Sequence, residues 1–190
     1  NAEAIKNYTI GTAENLKKLA TLTNEGNAFS GETRLQIANI NLSTVCSSSI
    51  GSWTPIGQDS KEFKGMYNGS NYEITNMYIN ANKERQGLFG YIKDNAVVKN
   101  IIVKGIIENS NRYTGGIVGF VKSSVVSNCI NYANINIVYP ETYANTGGIA
   151  GLVRYNSSIE KCRNYGNITS EKRYIGGVVG SIWDSNVRIE

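Results

Sequence analysis

Gly115-Gly116-Ile117-Val118-Gly119 decides the fold, because the same five-residue shape returns before and after it. Gly147-Gly148-Ile149-Ala150-Gly151 and Gly176-Gly177-Val178-Val179-Gly180 repeat it, and Gln86-Gly87-Leu88-Phe89-Gly90 lacks only the first glycine. Gly87, Gly116, Gly148 and Gly177 stand 29, 32 and 29 residues apart, a period that belongs to stacked repeats. Aligned on these glycines, with a one-residue gap early in the second unit and four extra residues around Pro140, the units form columns. Val98, Val126 and Ile159 share one; Ile101, Cys129 and Cys162 the next. Val103, Asn131 and Asn164 follow, then Gly105, Ala133 and Gly166, then Ile107, Ile135 and Ile168.

Each unit holds three short β-prone runs, such as Gly116 to Val121, Val125 to Asn131 and Asn134 to Val138. Three strands and three corners in about 29 residues describe one turn of a parallel β-helix, whose strands pair one coil away at ~4.8 Å. Glycine at the corners lets the backbone turn and can take φ > 0. The expected fold is all-β, a solenoid of five to six three-strand coils beginning near Phe29, Phe63, Gly87, Gly116, Gly148 and Gly177. Its length is roughly 25 Å at that spacing. An uncovered last coil would expose unpaired strand edges, so a cap or further chain is expected after Glu190.

Upstream the grammar differs. Asn1-Ala2 reads as the remnant of a cleaved tag, and residues 3–190 as one domain. Thr12 stands where a helix N-cap belongs, and Leu16, Leu19, Ala20 and Thr23 make an apolar stripe at i, i+3, i+4 and i+7. The helix, residues 12–25, is expected to cover the open end of the stack. Residues 29–86 form the opening coils and 87–190 the repeats. In the former, Leu35 to Leu42 alternates as a strand with one buried face, followed by a polar loop from Ser43 to Ser52 around Cys46.

Composition narrows the function. The chain has 41% apolar residues, a net charge of +4 without a basic run, and no histidine. Nucleic acid is not an expected partner. Without His there is no His-based zinc site and no Ser-His or Cys-His nucleophile pair. Asp59, Asp94 and Asp184 lie far apart in sequence, so the chain is expected to be noncatalytic and to use no cofactor. No apolar run approaches the ~20 residues of a membrane span.

Gly87-Leu88-Phe89-Gly90 and its later copies resemble the GLUG motif of bacterial surface and secreted proteins. Trp53-Thr54-Pro55-Ile56-Gly57, Phe63-Lys64-Gly65, Asn68-Gly69 and Ile74-Thr75-Asn76-Met77 are similar to the segment that precedes such repeats. The resemblance implies a right-handed β-helix in an adhesin or other surface or secreted protein. It also extends to noncatalytic regions of secreted zinc metallopeptidases of the IgA1-specific type. Further domains of the same chain are therefore expected, and so is a secreted or cell-surface location. The family supplies no binding residues to carry over.

Candidate contacts come from the columns. Tyr132 and Tyr165 follow Asn131 and Asn164, with Arg163 nearby, and an aromatic ladder beside amides could hold a sugar ring. Tyr139 and Tyr143 sit in the insertion from Tyr139 to Asn145, a candidate recognition loop along with Ser43 to Ser52. The expected partner is a host or neighbouring-cell protein or a glycan. The stacked amides either satisfy one another or meet a ligand. Cys129 and Cys162 are expected as reduced, buried fillers, and Cys46 as the exposed thiol.

Overall fold

The computed structural model describes residues 8–138, 143–171, 173–184 and 186–190. The helix and sheets follow from two periodicities. Thr12 caps the helix Ala13–Asn24, its hydroxyl accepting from the Asn15 N–H at 3.1 Å. Leu16, Leu19, Ala20 and Thr23 form the buried stripe on the first coil, as their spacing predicts. The Thr23 hydroxyl donates to the Leu19 carbonyl at 2.8 Å, which lets a polar residue complete it.

From there the chain winds as a parallel β-solenoid with four faces. Phe89–Lys93, Val118–Lys122, Ala150–Arg154 and Val179–Trp183 form the first. The second has seven strands, running from Tyr8–Ile10 through Thr33–Gln36, Met66–Asn68, Val97–Lys99, Val125–Ser127 and Ser158–Glu160 to Arg188–Ile189. The third carries Ile40–Asn41, Glu73–Ala81 and Ile102–Asn109, then the split strands Ile130–Asn131 with Asn134–Ile137 and Arg163–Asn164 with Ile168–Ser170. Thr114–Gly115, Tyr143–Gly147 and Arg173–Gly176 make the short fourth. The three strands per coil read from the sequence are thus refined: the motif's leading glycine lies in a fourth strand.

The columns hold. Val98, Val126 and Ile159 pair in register and are buried; Val103, Asn131 and Asn164 pair likewise, the first two buried and Asn164 half-buried. Ile107, Ile135 and Ile168 pair in register on the third face, with Ile168 half-buried. Toward the helix the interior fills with rings. Phe63 and Phe89 lie 5.3 Å apart and Tyr67 meets Phe89 edge-on at 5.5 Å. Each such side chain contributes about 2–3 kcal/mol by leaving water.

The glycines act by what they lack. A methyl group on Gly116 would overlap the Asn131 side chain and the Gly148 carbonyl, and one on Gly148 would overlap Asn164 and the Gly177 carbonyl. The last glycine of each motif lies against backbone at the preceding corner: Gly119 against Arg85 and Gln86, Gly151 against Tyr113 and Thr114, Gly180 against Asn145 and Thr146. Left-handed backbone, expected of these glycines, falls elsewhere. Among the motif glycines only Gly87 has it. The corners use Arg85, Tyr113, Asn145 and Tyr174 in one column and Asn100, Asn128 and Lys161 in another, with φ between 50° and 65°. Each non-glycine residue there costs about 1–2 kcal/mol. Asparagine offsets it with a ladder: Asn128 Nδ2 donates to Asn100 Oδ1 at 2.7 Å, and Asn100 Nδ2 to Asn68 Oδ1 at 2.8 Å.

Two expectations fail near the start. Leu35 to Leu42 is two strands around a corner at residues 37–39, and in Thr33–Gln36 the buried side chains are Arg34 and Gln36. Ile37 is 48% exposed. Alternation misleads because the polar pair is fully engaged inside. Gln36 accepts from the Tyr67 hydroxyl at 3.1 Å and donates to Ala38 and Glu73 carbonyls. Arg34 lies over the Phe29 ring at 4.2 Å and pairs with Glu32 at 2.6 Å. Cys46 is buried as well, not exposed, because the turn Leu42–Thr44 folds Leu42, Val45 and Cys46 into the core. The Tyr78 N–H points at its sulfur at 3.5 Å, and burial pushes the thiol up.

These contacts set a paired prediction. Gly116→Ala should lower unfolding free energy by about 2–3 kcal/mol or more, as overpacking against backbone does. Gly177→Ala, at the equivalent position with nothing within 4 Å of an added methyl, should change it by less than about 0.5 kcal/mol. Urea titration of both variants checks the contrast.

Candidate functional site

On the third face the side chains at alternate positions point outward, so one outward residue recurs per coil. Tyr132 and Tyr165 occupy one such column immediately after Asn131 and Asn164. Their rings stack with centroids 5.1 Å apart and planes 18° from parallel. The pair is exposed, Tyr132 at 44% and Tyr165 at 59%. Lys104 precedes them in the same column, its ammonium 5.7 Å from the Tyr132 ring centre and 2.7 Å from a Glu73 carboxylate oxygen. The result is a strip of carboxylate, ammonium and two aromatic rings on a rigid sheet. Arg163, in register with Ile130 and two residues before Tyr165, is exposed on that side.

The amides beneath are structural. Asn131 Nδ2 donates to Asn164 Oδ1 at 2.9 Å and to the Ala133 carbonyl at 3.0 Å, while its Oδ1 accepts from the Ala133 N–H. Asn164 repeats this with Gly166. Asn131 is fully buried, so the column closes on itself and the ligand reading is not needed for it.

The other candidates separate. Tyr139 and the residues up to 142 lie outside the described residues. Tyr143 begins the fourth-face strand Tyr143–Gly147 and stacks on Tyr174, with centroids 5.1 Å apart and planes 22° from parallel. Its ring partner is Tyr174, so it makes a second tyrosine pair and does not join the Tyr132 and Tyr165 stack. Ser43 to Ser52 supplies less contact surface than its polarity suggests, since Val45 and Cys46 within it are buried. Lys104, Glu73 and Tyr174 were not singled out by sequence. The signal for Lys104 was present: it follows Val103 as Tyr132 follows Asn131. Two clefts, of about 450 and 390 Å³, flank the helix, and Tyr132 and Tyr165 line neither.

Cys129 and Cys162 stack in adjacent coils as free thiols. Burial raises the Cys129 thiol well above its usual range; a hydrogen bond from Cys129 lowers that of Cys162. Among the described residues no three of Cys, Asp and Glu gather where they could hold a metal ion. Among the described residues no helix is long and apolar enough to cross a membrane.

Known proteins share this architecture. A crystal structure from Bacteroides ovatus, of a protein provisionally named an immunoglobulin A1 protease, superposes with a TM-score of 0.64 over 97% of this chain at 18% identity. The chain spans 64% of that structure. A protein of Evansella cellulosilytica, provisionally named a Gly-rich membrane protein, is 30% identical over 116 residues. That match takes in 59% of this chain and 13% of the relative. No family model matches the sequence. The structural likeness shows the β-solenoid fold.

Thiol chemistry offers a direct check. Because its hydrogen bond lowers the Cys162 pKa, thiolate appears there at lower pH than on an ordinary cysteine. Iodoacetamide mass mapping in the native state should therefore modify Cys162 first as pH rises, with Cys46 and Cys129 protected until unfolding. Early labelling of Cys46 would contradict its burial.

Proposed function

We propose that this chain is a noncatalytic β-helical module of a secreted or surface-attached bacterial protein, and that it holds a glycan on its third face. The stacked, exposed Tyr132 and Tyr165 carry the reading. The outer face of Tyr165 and the exposed edges of both rings offer apolar surface with polar rims, and a sugar presents apolar C–H faces edged by hydroxyls, so packing one on the other removes apolar area while the rims keep hydrogen bonds. Lys104 and Glu73 supply a donor and an acceptor at the end of the platform, and Arg163 a further donor beside it. Rigidity helps, because side chains already ordered by the sheet lose little freedom on binding.

A second reading is favoured by the Bacteroides ovatus structure. In it the module is an accessory part of a larger secreted peptidase and positions the substrate protein.

The test is retention on a panel of glycans and on immobilised immunoglobulin A1. For the first reading, Tyr132→Ala with Tyr165→Ala should weaken glycan binding about tenfold or more while circular dichroism is unchanged. Unaltered glycan retention by that double variant would remove the reading. Retention of immunoglobulin A1 that survives the double substitution would favour the peptidase accessory role.

A further inference from the structure

The first face carries a different outward column. Register places Lys93, Lys122, Arg154 and Trp183 side by side in successive coils, ~4.8 Å apart. Three cations in a row repel one another, and the ends of the row are neutralised. Lys93 lies 3.7 Å from Glu62 and 3.9 Å from Asp94, and Arg154 is 2.7 Å from Asp184. Lys122, in the middle, makes no ion pair among the described residues; its ammonium sits 5.0 Å from the centre of the Tyr155 ring. Arg154 lies against both Tyr155, at 4.6 Å, and Trp183, at 5.7 Å. Those two rings are exposed at 39% and 40%.

This surface is built on a second small core outside the solenoid. Tyr91, Phe120 and Leu152 point outward from the same strands yet are buried, because the corner residues Arg85 and Tyr113 fold over them. Tyr91 and Phe120 stack at 4.6 Å, and Trp183 meets Tyr113 edge-on. The aromatic platform is therefore anchored from beneath, and its cations are held at fixed spacing.

We propose that this strip binds a linear anionic polysaccharide lying along the stack. A carboxylate or sulfate group of the polymer pairs with Lys122, and neighbouring sugar rings rest on Tyr155 and Trp183. One coil advances by about the length of one sugar unit, so neighbouring units of the polymer reach neighbouring coils. Lys122 feels the Asp94 carboxylate at longer range but makes no direct ion pair among the described residues, so an acidic group on the polymer can pair with it directly. Flat exposed rings beside it favour a sugar over a peptide of the same charge. The site lies on a different face from Tyr132 and Tyr165 and does not depend on them.

The experiment measures binding of the whole chain to immobilised polygalacturonate, dextran sulfate and neutral dextran at two salt concentrations. Retention on an anionic polymer, weakened by salt and absent on dextran, is expected. Binding to polygalacturonate alone identifies a carboxylate ligand, to dextran sulfate alone a sulfate ligand, and to both the shared anionic chemistry. Lys122→Glu, the milder Lys122→Gln, and Tyr155→Ala with Trp183→Ala should each lower affinity about tenfold with unchanged circular dichroism. Tyr132→Ala with Tyr165→Ala should leave it as in the parent. The proposal is overturned if neither anionic polymer is retained, if Lys122→Gln binds like the parent, if the Tyr132 and Tyr165 variant loses this binding, or if polyglutamate competes equally.

Discussion

The close approach between coils at glycines, where an added Cβ would collide with the neighbouring turn, governs this structure. At Gly116 and Gly148 the missing Cβ is the space that the Asn131 and Asn164 amides and the next carbonyl occupy. The amide ladder and the glycine column are therefore one device. The amides bind the corner at Ala133 and Gly166 and the coil above, and they fit only because the residue facing them has no side chain. Gly119, Gly151 and Gly180 perform the matching service on the outside, admitting the corner backbone that carries Arg85, Tyr113 and Asn145. A spacing of ~4.8 Å between strands leaves no room to relax either contact. That is why the motif returns so nearly unchanged along the chain.

The fold was legible because a solenoid turns sequence period directly into spatial register. Val98, Val126 and Ile159 could be placed side by side by counting from glycine, and they pair in that order. What escaped follows from the same logic. Near the start there is no second copy to align, so Leu35 to Leu42 could be judged only by alternation. Alternation cannot see that Gln36 and Arg34 are satisfied inside. Cys46 was misplaced because serines around it suggested a solvated loop, whereas Leu42 and Val45 anchor it. The left-handed corners were assigned to glycine by propensity. In the structure asparagine takes several of them, with its side-chain ladder supplying what glycine's freedom would have supplied.

Of the candidate site, Tyr132 and Tyr165 were found from their column, and the ring stack follows from register. Tyr174 was missed because its pairing with Tyr143 crosses an insertion that breaks the count. Lys104 belonged to a legible column but differs in type from the tyrosines after it. The general lesson concerns outward columns: inside, a change of character, as from Val103 to Asn131, needs the polar newcomer fully hydrogen-bonded, while outside a column can change from cation to ring between coils without such a partner. Outward residues are thus where sequence carries chemistry and where alignment of repeats says least about it.

The helix at the start of the stack has a consequence for assembly. Parallel coils are self-templating, since every strand presents the edge that the next one needs, and two molecules stacked head to tail would continue the ladder without limit. Leu16, Leu19 and Ala20 cover the first coil, and the interior beneath them carries Arg34 and Gln36, unlike any later turn. A repeat coil from another molecule finds no matching apolar cross-section there. The helix therefore takes the place that a further apolar coil would otherwise occupy over this interior.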